Sequence, residues 1–248
     1  MESLSYLQII FCALVILLAF AVRGGAGFGG GAVAVPLLAL VFPVPVTVAV
    51  VTILNMLSSI GQGMLDWRKI VWKEVWRILP GSLLGVFIGL YLLTLMDTQP
   101  LAQALGVFVV IYAIYVMVLA DRMPVIAPRW MLAVAGVTSV AAGIIGAVFG
   151  GAAGPVYVIY LNAVRLGKDA FRMTITTVML LQGLTRIAGY LMLGLYDSGT
   201  LTLLAAALPM MVVGSVLGVR VVRRFDQAMF SRAVGVVLLA SGAALIFK

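Results

Sequence analysis

The sequence predicts an all-α polytopic membrane protein built from two inverted-topology repeats. Each repeat has five hydrophobic segments, four long spans and one short, Gly-broken segment. Three observations carry this prediction. Of the 248 residues, 64% are hydrophobic and only 10% charged, where a soluble domain has about 25% charged residues. Six glycines in eight residues, Gly24-Gly-Ala-Gly-Phe-Gly-Gly-Gly31, interrupt the first membrane-length run, and Phe149-Gly-Gly-Ala-Ala-Gly-Pro155 echoes them about half a chain later. The basic residues between segments also fall on one face for one way of threading the chain, and that way inverts the halves.

Leu4–Val22 is long enough to cross a bilayer, and Arg23 with the glycines ends it. It is longer than the apolar region of a secretory leader and has Glu2 where a leader is basic, so it reads as a retained span. Ala32–Phe42, at eleven residues, is too short to cross a core of roughly 30 Å as an ordinary helix. Pro43 and Pro45 precede the full span Val46–Leu65. Asp66–Arg77 interleaves Trp67, Trp72 and Trp76 with charges, the pattern of an interfacial amphipathic segment. Pro80–Met96 and Leu101–Ala120 are spans joined by a tight turn at Asp97-Thr-Gln-Pro100, and Asp121–Arg129 is a polar connection.

The second half repeats this order. Trp130–Val148 is a span, Gly150–Gly154 a break, Pro155–Leu161 a short segment and Arg165–Arg172 a basic loop. Met173–Leu195, Thr200–Val222 and Met229–Phe247 are the remaining spans. Gly81-Ser-Leu-Leu-Gly85 matches Gly214-Ser-Val-Leu-Gly218 at corresponding places. The chain therefore reads as a single integral domain, 1–248, with repeats at about 4–120 and 129–248.

Orientation follows from the lysines and arginines. If each long first span and its short partner return the chain to its starting side, loops 66–77, 121–129, 165–172 and 220–224 share one side. The loops holding Pro43, Asp97 and Asp197 then lie opposite and contain no Lys or Arg. The positive-inside rule makes the basic side cytoplasmic and puts both termini outside. An odd number of segments per half inverts one half relative to the other. The net charge of +8 thus reports topology, and no nucleic-acid partner is expected.

The chemistry available inside the membrane is narrow. All eight carboxylates lie at segment ends or in loops, there is no histidine, and Cys12 is the only cysteine. That excludes an in-chain disulfide, argues against catalysis and predicts neither a metal nor a cofactor. Arg186 is the ionisable group deep in a span, and such a group marks a pathway or a site. A buried cation without an acid partner takes an anion, backbone carbonyls or water. Gln182 and Thr185 lie near it on the same helix, with Thr174 and Thr177 earlier. In the first half, Asn55, Ser58, Ser59 and Gln62 make a similar polar stripe. Such residues also join helices by hydrogen bonds.

Gly29, Gly30 and Gly31, and in the second half Gly150 and Gly151, would let an anion approach the unpaired N–H groups of a short helix start. Paired Gly-interrupted segments are also where secondary transporters place their substrates. The expected substrate-binding set is Gly29, Gly30, Gly31, Asn55, Ser58, Gln62, Gly150, Gly151, Gln182, Thr185 and Arg186, with Arg23 as a charge at the entrance. The expected partners are a small anion and the lipid bilayer. The sequence leaves the oligomeric state open.

Taken in order, Gly27-x-Gly-Gly-Gly31 with Pro36, Ala49-x-x-Thr52, Asp66-Trp67, Gly81-x-x-x-Gly85, Phe149-Gly-Gly-x-x-Gly-Pro155 and Phe171-Arg172 resemble the sulfite exporter TauE/SafE family, also called the 4-toluene sulfonate uptake permease family. The resemblance covers nearly the whole chain. It implies movement of sulfite, sulfoacetate or similar sulfur-containing anions across a bacterial inner membrane, and fixes neither substrate nor direction. An anion channel on the same architecture and a membrane assembly factor are the alternative readings.

Overall fold

The structure, a computed structural model, describes residues 5–26, 29–118, 127–221 and 227–247. Among them every regular element is helical: α1 Tyr6–Ala26, α2 Gly30–Leu38, α3 Val44–Asp66, α4 Trp72–Leu95, α5 Thr98–Val118, α6 Met131–Val148, α7 Gly154–Ala163, α8 Lys168–Met192, α9 Ser198–Val221 and α10 Gln227–Ile246. Seven of these, α1, α3, α4, α5, α6, α8 and α9, are long and apolar enough to cross a membrane. The eighth expected span, α10, has 20 residues, and its side chains are described from Val234 onward. The helices α2 and α7, of 9 and 10 residues, are the two short segments.

The boundaries shift where local chemistry outweighs the hydropathy pattern. α1 runs a turn beyond Arg23, because that side chain is fully buried and does not have to leave the bilayer. Pro45 opens α3 instead of breaking the chain, since proline fits the first helical turn, where its missing N–H costs nothing. The Trp-rich segment is not separate. Trp67–Lys69 forms a 3-10 turn, and α4 already starts at Trp72.

Glu74 was read into that interfacial segment, yet in the first turn of α4 it is buried. Tyr160 of α7 donates its hydroxyl to Glu74 Oε2 at 2.5 Å, and Arg77 Nη1 donates to Glu74 Oε1 at 3.2 Å. Two turns further along α4, the Ser82 and Tyr157 hydroxyls lie 2.6 Å apart. These contacts pin α7 to α4. Glu74→Ala takes the acceptor from the buried Tyr160 hydroxyl, and is expected to cost about 1–3 kcal/mol of stability. A clear fall in unfolding temperature in detergent would register it, and an unchanged midpoint would show that the cluster holds nothing.

Glycine lets the long helices touch backbone to backbone. A Cβ on Gly85 of α4 would sit 2.2 Å from Val140 O of α6, and one on Gly143 of α6 would sit 2.2 Å from Ser82 O. The same happens where Gly214 and Gly218 of α9 meet Leu17 O and Ala21 O of α1. Small residues at such crossings are how membrane helices associate without a hydrophobic driving force. α5 pairs with α10 and α3 with α8. α3 is the most enclosed span, with 61% of its window buried against 22–44% for the other six, so it lies at the centre. Outside the spans, Asp197 Oδ1 accepts the Thr200 N–H at 2.7 Å at the start of α9. That bond holds the Asp197 carboxyl below the usual carboxylate range.

Candidate functional site

The two glycine breaks meet in the interior. Gly29 stands just before α2 with φ +94°, a left-handed conformation that a side chain disfavours. It turns the chain back so that α2 begins inside the protein, with Gly30, Gly31 and Ala32 buried. Their N–H groups are the first of the helix and have no acceptor within it. At the other break, Gly150 and Gly151 have φ of +62° and +91°. A Cβ placed on Gly31 would lie 2.7 Å from Gly150 O and 2.9 Å from Gly151 C. The two breaks therefore meet backbone to backbone, and any side chain at Gly31 would prevent it.

Asn55 occupies the notch between the breaks. Its Oδ1 is 3.1 Å from a Cβ built on Gly30, and its Nδ2 is 3.0 and 2.9 Å from Cβ positions on Gly31 and Gly151. Both side-chain atoms are buried without a hydrogen-bond partner. An amide with its donor and acceptor unused in a buried place costs free energy unless something arrives to use them.

Two guanidinium groups border this amide. Arg23 and Arg186 are 0% and 1% exposed. Arg23 Cδ lies 3.1 Å from the Gly30 Cβ position, on the Oδ1 side of Asn55, and its Nη2 donates to Asn55 O at 3.2 Å and to the Ser59 hydroxyl. Arg186 Nη1 lies 3.5 Å from the Gly151 Cβ position, on the Nδ2 side. It donates to Gly146 O at 2.6 Å, and the Gly151 N–H shares that acceptor at 3.1 Å. Arg186 thus caps the carbonyl end of α6, a favourable place for a cation. The cap uses one nitrogen: Arg186 Nε, with Nε and Nη1 of Arg23, is buried without a partner. The two cations lie near enough to repel each other.

The remaining expected residues divide. Gln182 is fully buried beside the cluster, with Nε2 3.4 Å from Ala142 O and Oε1 unpartnered. Ser58 turns toward α9, its hydroxyl 3.5 Å from that of Ser215. Thr185 donates back to Leu181 O at 3.4 Å, so no contact to the cluster is seen. Thr174 accepts the Val71 N–H at 3.1 Å and serves the start of α4. The Gln62 side chain, like Gly27, lies outside the described residues. The Gly151 N–H is spent on Gly146 O, which corrects its expected part as a free donor; its contribution here is the missing Cβ.

Sequence reasoning gave Arg23 a lesser place, at an entrance, whereas it lies beside Asn55 inside the protein. It also passed over Tyr157, Tyr190 and Tyr196, whose hydroxyls lie within electrostatic range of Arg186. Tyr190 was legible as the residue one turn beyond Arg186 on α8; it donates to Ala147 O at 2.5 Å. Arg172 Nη2 donates to Gly24 O at 3.0 Å, tying the start of α8 to the last turn of α1.

Comparison with known proteins bears on this arrangement. A family model described as "Sulfite exporter TauE/SafE" matches residues 12–245. The probable inner membrane transporter protein TsaS of Comamonas testosteroni is 28% identical over 200 residues, 79% of this chain and 81% of that protein. No solved structure matches.

Proposed function

The chain belongs to the sulfite exporter TauE/SafE family, and from that premise we propose that it is a secondary transporter of small sulfur-containing oxyanions or organosulfonates, working by alternating access in the bacterial inner membrane. One observation carries the reading. Two fully buried guanidinium groups flank an amide with no partners, where both glycine breaks converge, and among the described residues their hydrogen-bond partners are neutral oxygens. Arginine does not shed its proton in a protein, so the cluster holds positive charge and unused donors together. An anion satisfies both.

The binding set on this reading is Arg186 and Arg23 for charge, Asn55 and Gln182 for directional bonds, and the N–H groups of Gly30, Gly31 and Ala32 as backbone donors. Gly150 and Gly151 leave the room. The helix pairing supports two inverted repeats: exchanging α1–α5 with α6–α10 turns the α1/α9 pair into α6/α4 and leaves α3/α8 and α5/α10 unchanged. With the basic loops cytoplasmic, α3 and α8 run in opposite senses through the centre. The near-zero exposure of Arg23, Asn55, Gln182 and Arg186 favours a carrier caught closed over an open channel.

The test is uptake into proteoliposomes of labelled sulfite, thiosulfate, sulfoacetate and sulfate beside an uncharged control, with and without anion loaded inside. The expected result is saturable uptake of at least one sulfur anion, accelerated by internal anion. Uptake without such acceleration would make the protein a channel. No anion uptake at all, from protein shown to be folded, would overturn the proposal.

A further inference from the structure

The cluster contains two permanent cations where one would hold a singly charged anion. Arg23 and Arg186 stand on the two sides of one amide, Arg23 toward Asn55 Oδ1 and Arg186 toward Asn55 Nδ2. Each has one bond or two to neutral oxygen, from Asn55 O and Ser59 for Arg23 and from Gly146 O for Arg186. Arg23 also keeps two buried nitrogens, Nε and Nη1, without a partner, and Arg186 keeps one, Nε. Among the described residues the buried carboxylate is Glu74, and it is engaged by Arg77 and Tyr160. The hydroxyls of Tyr157, Tyr190 and Tyr196 lie within electrostatic range of Arg186, and Gln182 and Asn55, which border the same place, carry no charge.

A buried charge is costly unless it is paired and hydrogen-bonded. A monovalent ligand would neutralise one arginine and leave the other exposed to the same cost, with the mutual repulsion of the two cations half relieved. A ligand with two negative charges pairs both at once. The spare nitrogens of the two arginines and the Asn55 Nδ2 between them supply donors along its length.

On the transport reading above, we infer that the site selects divalent anions, and that Arg23 is the residue that counts the second charge. Arg186, capped onto α6, takes one anionic group. Arg23, reaching from the last turn of α1, takes the other. Without Arg23 the site has a single cation, and a monovalent anion then matches it better than a divalent one.

The measurement compares two sulfonates that share a head group and differ in charge, sulfoacetate (divalent) and ethanesulfonate (monovalent), in proteoliposomes at neutral pH. Labelled sulfite serves as a transport control. Wild type is expected to take up sulfoacetate at least about tenfold faster at low concentration, one charge contact being worth that much or more. Arg23→Gln is expected to level or reverse the ratio by losing sulfoacetate uptake, while Arg23→Lys keeps the preference. A wild type that moves both sulfonates equally, or prefers ethanesulfonate, sinks the charge-counting inference and leaves transport standing. A wild type that moves neither sulfonate nor sulfite sinks the transport reading and the inference together. If Arg23→Gln does not assemble, the wild-type ratio together with that of Arg23→Lys decides.

Discussion

Replacing Arg186 with glutamine is expected to abolish anion uptake while leaving the fold as stable as before, or more so. The two halves of that statement have one physical origin. Arg186 is buried, holds Gly146 O through one nitrogen and keeps Nε without a partner. A desolvated cation of that kind is a cost to the folded state in the absence of ligand. Glutamine can still donate to a carbonyl, so the end of α6 keeps a cap and the protein is relieved of a buried charge. The anion loses its charged partner, a loss of about 2–5 kcal/mol in comparable buried pairs, which is at least a ~30-fold fall in affinity. Binding, uptake and thermal unfolding of one preparation separate the possibilities. Undiminished uptake would remove Arg186 from the site. A collapse of stability with loss of uptake would make it a structural cap.

Gly31→Ala is expected to fail for a different reason. The added methyl would meet Gly150 O at 2.7 Å and Gly151 C at 2.9 Å. Both are backbone atoms, which cannot swing aside as the end of a flexible side chain does. Forcing a methyl into a packed interior costs about 1–3 kcal/mol. Here it would also push apart the two breaks that frame Asn55, so uptake should be lost even where the protein still assembles. Gly61→Ala and Gly136→Ala are the controls, because a Cβ at either position has nothing within 4 Å. Those variants should assemble and transport as wild type does. Equal behaviour of all three would mean that the convergence of the breaks has no bearing on function.

The class and order of elements were legible because they are written in local composition. Runs of apolar residues, glycine breaks and loop charges each need only a short window to be read. The central pair Asn55 and Arg186 was legible too, since a polar group inside an apolar helix stands out against its neighbours. What could not be read was which residues meet. Arg23 sits at the edge of its run and looks like a boundary charge; only the folded bundle shows it buried against Asn55 and Ser59 of α3. Glu74 sits among tryptophans and basic residues, and its partner Tyr160 is 86 positions away. The polar stripe of α8 looked uniform, but Thr174 serves the start of α4 and Gln182 faces α6. A helix face is a local property, whereas the neighbour it faces is set by the whole bundle.

The glycine-lined crossing of α1 with α9 also has a consequence for biosynthesis. α1 is complete at Ala26, and the helix that fits against it ends at Val221. At roughly 5–20 residues per second, a ribosome needs on the order of 10–40 s to make the intervening chain. Throughout that interval the helix that fills this backbone groove has not been made. The first five helices cannot therefore be finished as a unit before the last five arrive. Maturation of this protein is a late, whole-chain event, and a nascent chain stalled before α9 would present an unmated groove to whatever surveys the membrane.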